Sequence, residues 1–477
     1  MLNKNHMINT FLIRDKLISE EEYKILFKDK DYWENNLNYK PFINTLHKII
    51  ELQKDEDTIY LNNICFPNHI EFKDLNISPS ININFNDCSF YQKINFHGIH
   101  FTGKVDFSNT YFYKEVNFRK TKFDFETSFS KSKFLSIATF NSSSFQEKTH
   151  FKDCQFQEIS FQDSIFKKDC YFGNSHFQNK VNFLDAKFQE NSNFDKCIFD
   201  GTITSFTRCI FNTPNFTNSN FKGEVSFRGI TCQSYSYFNN IIFSNKVEFN
   251  QSKFLNNVNF ENTQFESAYF FNTKFNNIVS FKNAISNKII SFEAMSCGML
   301  DMINSNFSIV NFLNIKGKDY FPLKKTHLKN KETARIIKSH LEKQHNLIES
   351  NKFFVFEQEK YYDELSWVNN FGNKFVVWLN KRISNHQTSW GKVLFAILAY
   401  ICIILLGYSI YTDYSLSQHS IMDNINKGIE LIDPLNIFKK DNTLYANHQA
   451  LGLTIRIISL YLFWQFAVAF RQNTRRK

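Results

Sequence analysis

Phenylalanine recurs along the middle of this chain at alternating steps of five and six residues. An α-helix repeats every 3.6 residues and a β-strand every 2.0, so neither explains these steps. The period predicts a supersecondary unit that is copied many times. With 57 Phe but only 13 Gly and 6 Pro in 477 residues, the rings must occupy equivalent sites. The regular run comprises Phe85, Phe90, Phe96, Phe101, Phe107, Phe112, Phe118, Phe123, Phe129, Phe134, Phe140, Phe145, Phe151 and Phe156.

A second signal lies two residues before each Phe, where the side chain is small or β-branched. Residues i and i−2 of an extended segment point to the same side, so each short segment turns one large and one small residue inward. The residues between them are mostly polar and suit turns and solvent. The small positions include Cys88, Ile94, Ile99, Val105, Thr110, Val116, Thr121, Thr127, Ser132, Ala138 and Ser143.

Stretches such as FHGIHFTGKVDFSNTYFYKEVNF and FNQSKFLNNVNFENTQF resemble the pentapeptide-repeat family in an eleven-residue variant. The resemblance covers about residues 85–312 and implies a β-solenoid, a right-handed quadrilateral β-helix with Phe rings stacked in a dry central column. Four sides imply about 22 residues per coil, about nine coils over residues 85–281, and a rod about 40 Å long at about 4.8 Å per strand. A β-sandwich does not hold one residue type at such a strict step over two hundred residues.

The core ladder should therefore consist of Phe96, Phe101, Phe107, Phe112, Phe118, Phe123, Phe129, Phe134, Phe140, Phe145 and Phe151. Repetition weakens after Phe281, and residues 283–315 are interpreted as irregular last coils. Five of the nine Cys occupy the small position, namely Cys88, Cys154, Cys170, Cys197 and Cys209. No CxxC or metal spacing occurs, so we interpret them as core residues rather than ligands or disulfide partners. Free Cys fits a reducing compartment, and the start of the chain shows no secretory signal.

Residues 1–57 lack the repeat and are predicted to form a helical N-terminal cap on a β-helix of residues 58–320. Ser19 and Glu22 have capping-box spacing. A solenoid leaves unpaired strands at its ends, which favours capping, with partner binding as the alternative. Residues 321–390 are predicted to be a helical connector, similar to that of family members that continue into membrane segments.

The connector contains His340 and His345 close to Glu342 and Glu349. These residue types raise the possibility of a metal site. No HExxH or comparable set is present, however, and we predict no metal there.

Residues 391–477 are predicted to contain two transmembrane helices, about 393–411 and 451–470, with an extracytoplasmic loop and a basic tail. The first, VLFAILAYICIILLGYSIY, carries no charge. The second contains two polar candidates, Arg456 and Gln465. Arg456 lies near the start of its helix and is expected to snorkel to the interface, although an intramembrane charge is also a functional signal.

The flanking charges predict the orientation. Residues 412–450 carry three Lys against five acidic residues. The positive-inside rule then places both termini and the β-helix in the cytoplasm, at a bacterial inner membrane. Residues 313–477 hold 23 basic and 13 acidic side chains, so the net charge of +10 belongs to this membrane-proximal third and does not indicate nucleic-acid binding. The flanking cations are Lys374, Lys381, Arg382, Lys392, Arg471, Arg475, Arg476 and Lys477.

No P-loop, GxGxxG, GxSxG or zinc spacing occurs, so we predict no catalytic residues, no cofactor and no enzyme activity. Two functions remain. The first is a membrane-tethered scaffold that presents the β-helix to a protein partner. The second is an oligomeric ion channel or pore, formed when hairpins of several copies associate. Some family members mimic DNA, but that needs an acidic rod, and residues 85–312 carry 23 basic against 20 acidic side chains.

Overall fold

The computed structural model describes residues 19–36, 38–53, 55–320, 322–411, 426 and 449–474. It divides into two compact units, Met1–Lys329 and Asn330–Lys477, which are treated separately below. Most of the predicted extracytoplasmic loop and residues 475–477 of the basic tail lie outside the described residues.

The first unit is a parallel β-solenoid in which each coil contributes four short segments to four faces. Partners lie one coil apart: Phe101 pairs with Phe123, and Val105 pairs with Thr127. Both steps are 22 residues, which confirms the predicted coil length. Along one face the register rises through twelve levels, from Ile59 to Leu300. The solenoid therefore begins before the first regularly spaced Phe.

The strands of the described residues form two sheets, each covering two adjacent faces. The first sheet contains Thr58–Tyr60, Asn82–Asn84, His100–Phe101, Val105–Asp106, Lys122–Phe123, Thr127–Ser128, Ser144–Phe145, Thr149–His150, Ile165–Phe166, Cys170–Tyr171, Lys187–Asn193, Ile210–Asn215, Thr231–Cys232, Ser236–Tyr237, Lys253–Phe254, Val258–Asn259, Lys274–Ser280, Ser296–Asp301 and Lys316–Gly317. The second contains Cys65–Phe66, Ile70–Glu71, Ser89–Phe90, Ile94–Asn95, Tyr111–Phe112, Val116–Asn117, Lys133–Thr139, Gln155–Ser160, His176–Phe177, Val181–Asn182, Ile198–Phe199, Ile203–Ser205, Asn220–Phe221, Glu224–Ser226, Ile242–Glu248, Gln264–Tyr269, Ile285–Ser291 and Asn306–Asn311.

The Phe rings form four parallel stacks, one beneath each face, rather than the single column expected. Faces 1 to 4 are named in chain order by stacks that contain Phe107, Phe112, Phe118 and Phe123. Within stack 1, the ring centroids of Phe107 and Phe129 lie 5.0 Å apart, and the angle between the ring planes is 6°. Across the interior, Phe107 meets Phe118 edge to face at 5.5 Å and 78°. Stacking along the axis and edge contacts across it are both favourable for aromatic rings, so Phe can occupy the large interior position of all four faces.

Stack 1 confirms the predicted number of coils. It makes nine successive stacked contacts between Phe85 and Phe281. Beyond Phe281 the register continues, with Cys297 taking the place of a ring in stack 4 and Ser286 in stack 2. The last coils are thus irregular in their side chains and not in their pairing.

Both ends of the solenoid are covered. Three helices precede it: α1 (Glu20–Ile25), α2 (Lys30–Asn35) and α3 (Lys40–Leu52). The ring of Phe42 on α3 lies 5.9 Å from that of Phe66, at the end of stack 2. The predicted capping box forms, since Glu22 N donates to Ser19 Oγ and Ser19 N donates to Glu22 Oε2.

At the far end, short 3-10 turns follow the last strand, at Lys318–Tyr320 and Lys325–His327; another, Phe72–Leu75, lies in the first coils. Lys329 N donates to Leu300 O at 2.9 Å, and Lys329 Nζ lies 2.7 Å from the buried carboxylate of Asp301. Leu328 is fully buried there. The solenoid thus ends in a covered edge, as repeat proteins require.

The second unit is helical: α4 (Lys331–Lys343), α5 (Leu347–Glu364), α6 (Phe371–Ser384), α7 (Trp390–Tyr411) and α8 (Gln449–Thr474). The buried carboxylate of Glu357 on α5 pairs with Arg335 Nε at 2.9 Å and Lys338 Nζ at 2.7 Å on α4. α7 and α8 pack through an apolar cluster of Val393, Ile397, Leu462 and Ala469, with Ile383 of α6 against it.

Candidate interaction surface and membrane segments

The predicted Phe ladder is internal. Each of its members is at most 1% exposed, so no partner can reach it and its role is structural. The residues are Phe96, Phe101, Phe107, Phe112, Phe118, Phe123, Phe129, Phe134, Phe140, Phe145 and Phe151.

Many of the small residues two before the Phe of faces 2 and 4 donate hydrogen bonds to backbone carbonyls one coil away. Ser132 Oγ donates to Phe107 O at 2.6 Å, and Cys154 Sγ donates to Phe129 O at 2.9 Å. Burial raises the pKa of the Cys154 thiol, which keeps it protonated and unsuited to nucleophilic or metal chemistry. Equivalent donors are Thr110, Thr121, Ser175, Cys197, Cys209, Ser219, Ser252, Thr263 and Thr273.

Charged side chains lie outside, in groups that span neighbouring coils. His100 Nε2 lies 2.7 Å from Asp124 Oδ2 on face 4, and Lys122 Nζ lies 2.8 Å from Asp124 Oδ1. The hydrogen bond from Lys122 is the largest cause that lowers the pKa of Asp124. His176 and Lys222 hold Asp200 in the same way on face 2. These groups lie on the solvent-exposed faces of the solenoid.

Face 1 carries a shallow recess of about 360 Å³ near the middle of the solenoid. Its floor is formed by His150 and Tyr171, one coil apart, whose rings stack at 5.0 Å. Lys152 and Lys196 stand at its edge, together with Asp195. A recess with an aromatic floor and charged residues at its edge is suited to binding a partner side chain.

Among the described residues, no group of three or more His, Cys, Asp or Glu side chains is arranged to hold a metal ion. His340, considered above as a ligand, instead lies 2.9 Å from Ile336 O through its Nδ1.

Comparison with known proteins agrees with this geometry. The family model described as "Pentapeptide repeats (9 copies)" matches residues 85–133, 129–176, 140–187, 161–208, 183–231 and 238–285. The solenoid is a pentapeptide-repeat domain. No curated protein matches the chain.

A solved structure similar to the chain is that of HetL, a pentapeptide repeat protein involved in heterocyst differentiation regulation from the cyanobacterium Nostoc sp. strain PCC 7120. Its sequence is 9% identical, the TM-score is 0.18, and the match covers 57% of this chain and 96% of that chain. The assignment rests on the family match and on the register of the coils, and not on this superposition.

Beyond the pentapeptide-repeat domain, two helices are long and apolar enough to cross a membrane. The qualifying stretches are Trp390–Gly407 of α7 and Gly452–Thr474 of α8. Only 11% of the first and 33% of the second is buried within the protein. A core helix of a soluble domain buries its apolar surface, whereas these helices leave most of theirs uncovered.

The two polar candidates of α8 have different surroundings. Gln465 is fully buried, and its Nε2 donates to Asn380 Oδ1 at 2.8 Å and to Tyr461 Oη at 3.0 Å. Arg456 is 9% exposed, and its Nε has no hydrogen-bond partner among the described residues. Asn380, which no sequence motif marks, is the residue that connects Gln465 to α6.

Proposed function

We propose that the protein is a non-catalytic, membrane-tethered interaction protein that presents its pentapeptide-repeat domain to a protein partner. The observation that carries the proposal is the uncovered apolar surface of α7. Phe395, Ile403 and Leu406 are 75%, 65% and 64% exposed. At about 1.5 Å per residue, a helix of this length matches the roughly 30 Å hydrocarbon core of a bilayer.

The orientation of the tether follows from the charges around it. Four basic residues lie before or at the start of the first apolar stretch, and no acidic residue lies between them. They are Lys374, Lys381, Arg382 and Lys392. Basic residues are retained on the cytoplasmic side. The Cys of the pentapeptide-repeat domain are all free, which a reducing cytoplasm would preserve. The proposed location is a bacterial inner membrane, with the domain on its cytoplasmic side.

The recess on face 1 is the proposed docking point. Lys152 and Lys196 are the cations at its edge, Asp195 is an anion beside them, and Tyr171 and His150 give it an aromatic floor. This combination favours a partner that packs a side chain on the rings and pairs its own charges with this mixed edge. Tethering raises the effective concentration of such a surface at the membrane without any new contact.

Site-specific photocrosslinking in intact membranes tests the proposal. A photoreactive residue replaces Lys152, beside face 1, or, as the matched control, exposed Lys180, beside Val181 of face 3. We expect a discrete protein adduct from position 152 that Tyr171→Ala abolishes, and none from position 180. Equal adducts from both positions, or none from either, would contradict docking on face 1. Release of the protein by alkaline carbonate would contradict the tether.

A further inference from the structure

The helix that precedes the first apolar stretch, α6, exposes aromatic side chains on the side that points away from the rest of its unit. On α6, the side turned toward the rest of its unit carries the buried residues Val377 and Ser384. The outward side exposes Phe371 at 61% and Phe375 at 42%. At 100° per residue, Phe371, Phe375, Trp378, Leu379 and Arg382 share that outward side.

The outward aromatic residues form one continuous strip. The rings of Phe371 and Phe375 lie 6.0 Å apart, and those of Phe375 and Trp378 lie 5.9 Å apart. Trp367, just before the helix, continues the strip at 5.9 Å from Phe371. An aromatic strip of this kind, left open on a helix, needs a partner that is neither water nor the rest of the unit.

The charged residues on α6 and α7 are all basic. Between residues 365 and 411 the sequence contains no Asp or Glu. Lys381 is paired with Glu359 at 2.9 Å, and Lys374 Nζ donates to Leu365 O at 2.6 Å. The guanidinium of Arg382 lies 6.0 Å from the Trp378 ring, and Lys392 is exposed at the start of α7. Arg382 and Lys392 are therefore the cations best placed for an external anion.

A fixed turn joins α6 to the apolar helix α7. Asn385, His386 and Gln387 all adopt left-handed backbone angles, with φ of 49°, 55° and 66°. The turn is held because His386 N donates to Asn380 O at 3.0 Å and Gln387 N donates to Ser384 Oγ at 2.8 Å. With Ile383 packed against the cluster of Val393, α6 cannot swing freely from the membrane segment.

We propose that α6 is an interfacial helix that binds the surface of an anionic lipid bilayer. Its aromatic strip lies at the boundary between headgroups and acyl chains, where Trp and Phe are favoured, and Arg382 and Lys392 bind lipid phosphates. Two arguments select a bilayer as the occupant: the strip is continuous along the chain with the apolar surface of α7, and the local charge is complementary to anionic headgroups. The inference rests on the proposed function, because it requires α7 and α8 to be inserted.

Fluorescence quenching of the full-length protein in lipid vesicles tests the proposal. A polarity-sensitive thiol probe is placed at Gly372→Cys, on the outward side, where an added Cβ meets no atom within 4 Å. Asn373→Cys, the neighbouring exposed position on the other side of the helix, is the matched control. Both carry Cys65→Ser and Cys402→Ser. A third sample, with Cys65→Ser alone, labels the exposed Cys402 within α7 and reports insertion.

In vesicles of phosphatidylcholine and phosphatidylglycerol, we expect nitroxide lipids labelled near the headgroup to quench the Gly372→Cys probe several-fold more than the Asn373→Cys probe. Arg382→Gln with Lys392→Gln should reduce that difference, as should pure phosphatidylcholine. Equal quenching at both positions, with the Cys402 probe protected from aqueous quencher, would overturn the interfacial helix and leave the tether intact. A Cys402 probe open to aqueous quencher would overturn both.

Discussion

Gln465 on α8 donates from Nε2 to Oδ1 of Asn380 on α6 at 2.8 Å, across 85 residues of sequence. Tyr461 Oη donates to the same oxygen at 2.6 Å. The amide nitrogen of Gln465 is thus engaged inside one chain, where it joins α8 to α6, while Gln465 Oε1 has no hydrogen-bond partner among the described residues. A pore lined by Gln465 would need that side chain to face a shared aqueous path, so this contact favours the scaffold over the channel.

The first prediction concerns how much the hydrogen bond between Gln465 and Asn380 stabilises the packing of α8 on α6. Replacing Gln465 and Asn380 singly and together by Leu should give a coupling energy of about 0.6–1.7 kcal/mol, typical of hydrogen bonds between membrane helices. Unfolding in mixed micelles measures it by a double-mutant cycle.

The same preparations, reconstituted in liposomes, should hold an ion gradient. The channel alternative instead requires Arg456 and Gln465 to face a polar interior. Ion flux that Arg456→Leu abolishes would reverse our choice between the two functions.

The second prediction concerns the Phe stacks. Phe151→Ala removes a ring that stacks on Phe129 at 4.8 Å and on Phe172 at 4.9 Å. Core substitutions of this kind cost about 3–5 kcal/mol. Lys152→Ala, one residue further along and exposed, should cost little. Urea unfolding of the fragment ending at Lys329 compares the two; equal losses would be inconsistent with the solenoid register.

The third prediction tests the carbonyl-capping role of the small position. Cys154→Ser keeps a donor for Phe129 O, whereas Cys154→Ala removes one of the two hydrogen bonds to that carbonyl, which Ser132 N also contacts at 3.0 Å; the expected cost is about 0.5–1.5 kcal/mol. We expect the serine variant to be clearly the more stable in the same urea assay. Should alanine be tolerated as well as serine, the hydrogen bond contributes nothing.

The fourth prediction is a pH dependence that originates in the turn after α6. Burial lowers the pKa of His386 from 6.5 to about 4. As the pH falls, the unfolded chain binds this proton first, so the contribution to stability is present above pH 6.5 and is lost between 6.5 and 4. His386→Gln should flatten the pH dependence of the thermal midpoint in detergent over that interval. His97→Gln, an exposed control, should not.

The fifth prediction is the topology. A reporter that is active only outside the cytoplasm should be silent when fused after Lys477 and active when inserted near Asn442. Both positions lie outside the described residues, so the expectation rests on the flanking charges alone. Activity at the C-terminus and silence in the loop would mean the opposite orientation.

The repeat was predictable because its signal is local and redundant. Phe101 and Phe123 lie one coil apart, and each follows a β-branched residue by two positions, Ile99 and Thr121, so any short stretch reveals the step. The first coil was harder to recognise because Ile59, Leu61 and Ile70 fill its interior instead of regularly spaced Phe. The spacing of Phe along the chain does not specify the angles between the rings, so it did not predict the four separate stacks.

The candidate surfaces were less accessible to sequence reasoning. His150 and Tyr171 become neighbours only when the chain is wound at the length of a coil, and nothing in either residue's own stretch marks a recess. Asn380 lies in the connector, far from Gln465 in sequence, and its pairing depends on how α6 packs. Similarly, the outward aromatic strip of α6 is recognisable only once Val377 and Ser384 define the covered side.

The four-stack interior also allows the length of the pentapeptide-repeat domain to change in steps of one coil. Each coil adds one member to every stack, so inserting a whole coil would lengthen the rod by about 4.8 Å and leave each face pointing the same way. Inserting half a coil would carry face 1 to the opposite side. Evolution can therefore adjust how far the docking recess lies from the helical cap by copying single coils, without redesigning the core or turning the recess away from its partner.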